Sequence, residues 1–147
     1  RRQRQMCIRD RTQAENFIQT VEPVANMLPP VVDVEYYGDY RKTPPQREKV
    51  TQELTILLDA LEETYGMKPI LYVTEDTGWL ASEYHTYPFW ERSVYHGPPG
   101  GDKGQTWYFW QYSNRMVLDG YDGEERYIDC NVFRGSEEVF AKWPTEN

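Results

Sequence analysis

The sequence predicts an α/β fold built around a parallel sheet. In the first half of the chain, two segments with helical periodicity each precede a short apolar segment typical of a buried strand. This alternation requires right-handed crossover connections, which place the strands parallel. In the second half, strand-like segments follow one another without long helices between them. A chain of 147 residues is long enough for one such domain or for part of a larger one.

The N-terminal segment differs from the rest in charge and pattern. Residues 1–11 contain five Arg and one Asp, without apolar periodicity and without the hydrophobic stretch of a secretory signal. We interpret them as a non-native or disordered basic leader, with a nucleic-acid-binding arm as the alternative. The folded domain is then expected over residues 12–147.

A short amphipathic helix is expected to begin at Thr12 and to end before Pro23. Thr12 and Glu15 have the spacing of a capping box, and apolar residues recur at helical spacing as far as Val21. A loop that contains three prolines then leads to the apolar segment Val31–Glu35, which reads as the first strand.

This strand carries two acids on one side. Successive side chains of a strand point to opposite faces, so Val32 and Val34 share one face, and Asp33 and Glu35 share the other. At a rise of roughly 3.3 Å per residue, the Cα atoms of the two acids lie about 6.6 Å apart, close enough for both to reach one small substrate. On this pair alone, a solvated strand end with two exposed acids remains the alternative.

The clearest helix follows a loop over residues 36–40. Thr43 and Pro44 have the pattern of an N-cap and a first helical residue, and Gly66 stands where a left-handed C-cap belongs. Six apolar residues between them fall on one helical stripe: Val50, Leu54, Leu57, Leu58, Leu61 and Tyr65.

Later segments predict four more strands and two short helices. The strands are expected at Met67–Val73, Phe89–Tyr95, Trp107–Tyr112 and Tyr127–Phe133. One short helix is expected within residues 74–87 and another from Gly135 to near Trp143, with a glycine- and proline-rich loop at residues 96–105.

Composition excludes several classes of function. The net charge is −8, and without residues 1–11 the remaining 11 Lys and Arg stand against 23 Asp and Glu, which makes −12. So acidic a body would repel a phosphate backbone, which argues against nucleic acid as its partner. No segment approaches the about 18 apolar residues of a membrane span. Cys7 and Cys130 predict neither a disulfide nor a metal site, and no cofactor is expected.

Four segments in order resemble the glycoside hydrolase family 25 lysozymes, which are muramidases: LPPVVDVE, GMKPILYV, FWERSVY and WYFWQYSNRMVLDGYDGEERYIDCNVFRGS. The resemblance runs from Thr12 to about Trp143. It implies a partial (β/α) barrel of the TIM type whose last strands lack long helices, with the site at the carboxyl ends of the strands. The family's early Asp-x-Ser strand and its later Tyr-His-Phe segment do not precede Thr12, so residues 12–147 are expected to be the C-terminal part of one barrel domain.

The resemblance also implies roles for individual residues. Glu35 is expected to be the general acid, with a half-apolar site and the nearby Asp33 favouring its protonated form. Asp33 would stay ionised, either stabilising positive charge or orienting a 2-acetamido group. Substrate-binding positions are expected at Asp129, Tyr72, Trp90, Arg92, Trp110, Gln111 and Tyr37. Core packing for the aromatic residues, and structural or surface roles for the charged ones, are the alternatives.

The leading hypothesis is a peptidoglycan hydrolase that cleaves the bond between N-acetylmuramic acid and N-acetylglucosamine. Its partner would be the glycan strands of the cell wall, so it would act outside the cell or at the wall. A non-catalytic glycan-binding module and an enzyme for another carbohydrate are the alternatives. His85 and His96 have no metal or nucleophile spacing and are expected at the surface.

Overall fold

The computed structural model describes residues 10–99 and 107–143 and contains one five-stranded sheet. The strands lie in the order β1-β2-β3-β4-β5: β1 is Val31–Val34, β2 is Ile70–Val73, β3 is Phe89–Arg92, β4 is Trp107–Met116 and β5 is Ile128–Phe133. Strands β1 to β4 run parallel to one another, and β5 runs antiparallel to β4. The α/β class is confirmed, and over the described residues the sheet does not close into a barrel.

Within the described residues, five helices accompany the sheet: α1 is Asp10–Thr20, α2 is Asp39–Lys42, α3 is Arg47–Tyr65, α4 is Leu80–Glu83 and α5 is Glu137–Lys142. α5 begins after Ser136, whose hydroxyl accepts a hydrogen bond from the backbone N–H of Val139 at 3.3 Å. The two short late helices therefore occur where the sequence predicts them. None of the described helices is long and apolar enough to cross a membrane.

Two predicted helix starts are wrong. α1 begins at Asp10, so Thr12 lies in its first turn rather than at the N-cap, and the end of the expected basic leader is helical. Charge set this segment apart, but arginine is a good helix former. The leader prediction for residues 1–9 lies outside the described residues.

α3 begins at Arg47, with Gln46 at the N-cap instead of Thr43. The cause is the proline pair, because a residue that precedes proline is driven out of the helical region. Pro45 restricts Pro44 in this way, so Pro44 is disfavoured in the helical conformation that the first residue after a Thr43 N-cap needs. Thr43 instead ends α2, a single helical turn that lies partly in the expected loop at residues 36–40.

The strand boundaries also shift. β2 begins at Ile70, β3 ends at Arg92, and β4 extends to Met116 because its outer half pairs with β5 in a long hairpin. The loop predicted at residues 96–105 lies outside the described residues from position 100 onward.

The core lies on one face of the sheet, under α3. All six residues of the predicted α3 stripe are buried, and Leu54 and Leu58 are 0% exposed. They pack in one cluster with Val32 and Val34 of β1 and with residues of β2 and α1. Gly66 closes the helix in the left-handed conformation, at φ 68°, as predicted.

The opposite face of β1 faces outward, as alternation requires. Val31 is 41% exposed and Asp33 is exposed, whereas their neighbours Val32 and Val34 are buried. The strand thus separates the residues that stabilise the fold from those available to a ligand.

A matched pair of substitutions on α3 tests this packing. Replacing the fully buried Leu58 with Ala should lower the free energy of unfolding by about 2–5 kcal/mol, since it leaves a cavity in the core. Ile56 is 43% exposed on the same helix, and its replacement with Ala should cost about 0.5 kcal/mol or less. Urea unfolding followed by circular dichroism measures both, and equal losses would contradict the assigned core face.

Candidate active site

The outward face of the sheet brings several of the predicted site residues together. In the parallel register Asp33 lies beside Tyr72, and Tyr72 lies beside Trp90. Residues at one register level of a sheet point to the same face. The rings of Tyr72 and Trp90 meet edge to face, with centroids 5.6 Å apart. An acid and two aromatic side chains therefore form a continuous row across three strands.

Glu35 follows β1 directly and is half-buried. The Tyr37 hydroxyl donates a hydrogen bond to its carboxylate. Tyr37 is 48% exposed. Its partial burial, this hydrogen bond and the negative charges of Glu35 and Asp33 raise its pKa to about 12, while Arg92 acts in the opposite direction. Tyr37 therefore holds the side chain of Glu35 and stays protonated at neutral pH.

Tyr72 is the point on which the charged residues converge. Burial is the largest cause that raises its pKa, followed by the negative charge of Glu35; Asp33 and Asp129 also raise it, and Arg92 lowers it. Four of the predicted site residues thus lie within electrostatic range of one phenol.

Two side-chain amides, one buried and one exposed, bond the rings of the aromatic row. Tyr72 donates from its hydroxyl to Oε1 of Gln111 at 2.5 Å, and Gln111 is only 3% exposed. Trp90 donates from Nε1 to Oδ1 of Asn131 at 2.8 Å. Gln111 and Asn131 are register partners on β4 and β5. The two amides that bond the rings therefore lie opposite each other, at one register level of β4 and β5.

The sequence interpretation did not include Asn131 among the site residues. The signal was present, because Asn131 follows Asp129 by two positions in a strand and must share its face. Asp129 itself is exposed and borders an open cleft of about 450 Å³ at the loop between β4 and β5, lined by Tyr121, Glu124, Glu125, Tyr127 and Ile128. The cleft meets the candidate site only at Asp129.

Trp110 does not join the other predicted site residues. Its register partners are Glu91 and Val132, which alternate with Arg92 and Asn131 and so lie on the other face. Its indole N–H donates to the backbone oxygen of Ser93 at 3.0 Å. Burial on that face also raises the pKa of Glu91. Trp110 therefore packs away from Asp33 and Glu35.

The histidines are at the surface, as predicted. His85 and His96 are both exposed, and His96 lies 3.5 Å from a carboxylate oxygen of Glu75. Within residues 10–99 and 107–143, no cluster of three or more His, Cys, Asp or Glu is arranged to hold a metal ion.

The contact between Tyr37 and Glu35 predicts a measurable change in titration. In a Glu35→Gln variant the pKa of Tyr37 should fall below about 12, because the carboxylate that favours the neutral phenol is gone. The wild-type pKa is higher in the folded than in the unfolded state. The resulting stabilisation is therefore present below pH 10.0 and is lost as the pH rises through about 12.

Carbon-13 NMR of the tyrosine Cζ atoms follows this titration, with Tyr37→Phe assigning the signal. Tyr87 is the internal control, because burial and a 3.1 Å hydrogen bond to Glu62 raise its pKa to about 12 as well. An unchanged Tyr37 signal in the Glu35→Gln variant would contradict the contact.

Comparison with known proteins identifies relatives of this chain. The family model described as "Glycosyl hydrolases family 25" matches residues 6–121, so the match begins within the predicted leader and ends before β5. The Escherichia coli K12 protein YegX is 37% identical over 129 residues, which cover 86% of this chain and 44% of YegX. The chain thus spans less than half the length of that relative.

Solved structures agree with the family match. A family 25 glycosyl hydrolase from Bacillus anthracis is 46% identical with a TM-score of 0.81, and the alignment covers 90% of this chain and 61% of that one. A bacterial lysozyme from Streptomyces coelicolor is 21% identical with a TM-score of 0.70, over 88% of this chain and 63% of that one, and shows the fold alone. Because the family model matches well over half of its residues, this chain belongs to glycosyl hydrolase family 25.

Proposed function

We propose that this chain carries the acid and the stabilising carboxylate of a peptidoglycan hydrolase that cleaves the bond between N-acetylmuramic acid and N-acetylglucosamine. The observation that carries the proposal is the pair Asp33 and Glu35 at the carboxyl end of β1, next to the row of Tyr72 and Trp90. Family membership and the similarity to the B. anthracis hydrolase support it.

Glu35 is the proposed general acid. The carboxyl group of Glu35 gives a proton to the glycosidic oxygen. The bond between that oxygen and the anomeric carbon then breaks, and the electron pair of the bond passes to the oxygen of the leaving sugar. The Tyr37 hydroxyl holds one part of the Glu35 side chain, so the carboxyl keeps a fixed direction. A fixed acid needs little reorganisation when the bond breaks.

Asp33 is the proposed stabilising group. Bond cleavage leaves positive charge on the anomeric carbon, and an ionised carboxylate on the same face lowers the energy of that state. Asp33 is exposed, whereas Glu35 is half-buried, so water solvates the charge of Asp33 more fully. The two acids thus occupy different environments, as two different roles require.

The aromatic row is the proposed platform for the sugar rings. Sugars present apolar faces that stack on aromatic rings, and the hydrogen bonds to Gln111 and Asn131 keep the rings of Tyr72 and Trp90 in position. Arg92 and Asp129 supply polar contacts at the edge of the platform. The acidic body suits an uncharged glycan strand of the cell wall outside the cell better than nucleic acid.

A non-catalytic glycan-binding module is the second candidate. The aromatic row supports it, because stacking on Tyr72 and Trp90 does not depend on either carboxylate acting as an acid. An enzyme for another carbohydrate would use the same platform with a different substrate.

Clearing of a cell-wall suspension by Glu35→Gln tests the enzyme. The variant should lose about 10²- to 10⁴-fold in kcat, the range that a general acid contributes, while co-sedimentation with walls persists. Glu63→Gln is the matched control, because Glu63 is exposed on α3 and away from the site. It should clear walls at the wild-type rate.

The other outcomes discriminate the alternatives. Binding to walls without clearing, in both the wild-type chain and the variant, would favour the binding module. Cleavage of chitin fragments without cleavage of muramyl substrates would favour an enzyme for another carbohydrate.

A further inference from the structure

Thr77 is a buried polar residue that the proposed chemistry leaves unexplained. It lies in the turn between β2 and α4 and is 0% exposed. Threonine is mostly a surface residue, and a buried hydroxyl is costly unless it is hydrogen-bonded. Its bonding partners therefore show what the residue does.

The Thr77 hydroxyl joins two strand ends. Oγ1 donates to the backbone oxygen of Val34 at 2.6 Å and accepts from the backbone N–H of Thr74 at 3.0 Å. Val34 is the last residue of β1, and Thr74 is the first residue beyond β2. The Thr77 hydroxyl therefore uses both its donor and an acceptor site to connect the ends of two neighbouring strands.

This connection stands where the ladder between the strands stops. The register of β1 and β2 ends at the pair Val34 and Val73, so Glu35 lies beyond the last paired position. The carbonyl group of Val34 belongs to the same planar peptide unit as the N–H of Glu35. A bond to that carbonyl restricts the orientation of the peptide from which the Glu35 side chain departs.

We propose that Thr77 is a positioning residue for the catalytic acid Glu35, an inference that rests on the proposed function. Tyr37 holds the carboxylate end of Glu35, and Thr77 holds the backbone end through Val34. Thr77 touches no substrate. It acts by restricting where the carboxyl group of Glu35 can lie.

The test compares three variants of the full chain. Thr77→Val keeps the shape and removes the hydroxyl, whereas Thr77→Ser keeps the hydroxyl and removes a methyl group. Thr55→Val is the control for loss of a threonine hydroxyl away from the site, because the exposed Thr55 bonds Tyr84 at 2.8 Å on the helical side of the fold. If Thr77→Val does not fold, Thr77→Cys replaces it, since a thiol has nearly the same size and bonds weakly.

Steady-state kinetics on soluble peptidoglycan should separate positioning from stability. Thr77→Val should lower kcat by about 10- to 100-fold with little change in KM, because small displacements of a reacting group are that costly. Thr77→Ser should recover most of the loss, and Thr55→Val should keep the wild-type kcat. Equal kcat values for Thr77→Val and Thr55→Val would overturn the proposal.

A second readout does not depend on activity. The carbon-13 signal of the Glu35 carboxyl, assigned with Glu35→Gln, should shift in Thr77→Val and stay in place in Thr55→Val. If the wild-type chain cleaves no peptidoglycan, the proposed function fails. The carboxyl signal then decides about Thr77 alone, and an unshifted signal in Thr77→Val refutes the positioning role.

Discussion

The alternation of side chains along β1 is the constraint on which both the core and the site depend. Val32 and Val34 are buried under α3, and this burial sets which way every other residue of the strand must point. Asp33 faces outward for that reason, and Glu35 follows in the same phase. A shift of one residue in the register would bury the acid and expose the valines, so the hydrophobic packing of α3 itself specifies the position of the acids.

The register between strands extends this order across the sheet. Asp33, Tyr72 and Trp90 share one level, and the amides of Gln111 and Asn131 fix the two rings from the neighbouring level. Each ring has its polar atom satisfied by a side chain of another strand, so a hydrogen bond restricts the orientation of each ring. Such a row offers a ligand a surface that loses little conformational entropy on binding.

Sequence reasoning was most successful where one strong pattern decided the structure. The α3 stripe and the two faces of β1 follow from periodicity, and the Gly66 cap follows from the left-handed conformation that glycine adopts readily. The face of Trp110 could not be predicted, because it stands in the run Trp107–Tyr112, where five of the six residues are aromatic and no alternation defines the phase. Thr77 could not be found, since its role depends on a hydroxyl that meets a carbonyl 43 residues away in sequence. Contacts of that kind arise only from the folded chain.

The two faces of the sheet also separate stability from chemistry. The buried side carries the leucine and valine side chains that supply most of the hydrophobic free energy, and the outward side carries charges that gain little from burial. Carboxylates on one exposed face repel one another. The positive charge of Arg92 acts against their negative charges, since it lowers the pKa of Tyr72 and Tyr37 where the carboxylates raise it. Thr77 is an exception to this separation, because its hydroxyl is buried with the core while its bond ends at the peptide of Glu35. A change at Thr77 therefore acts on stability and on the acid together, whereas changes at Leu58 or at Glu35 act on one face of the sheet.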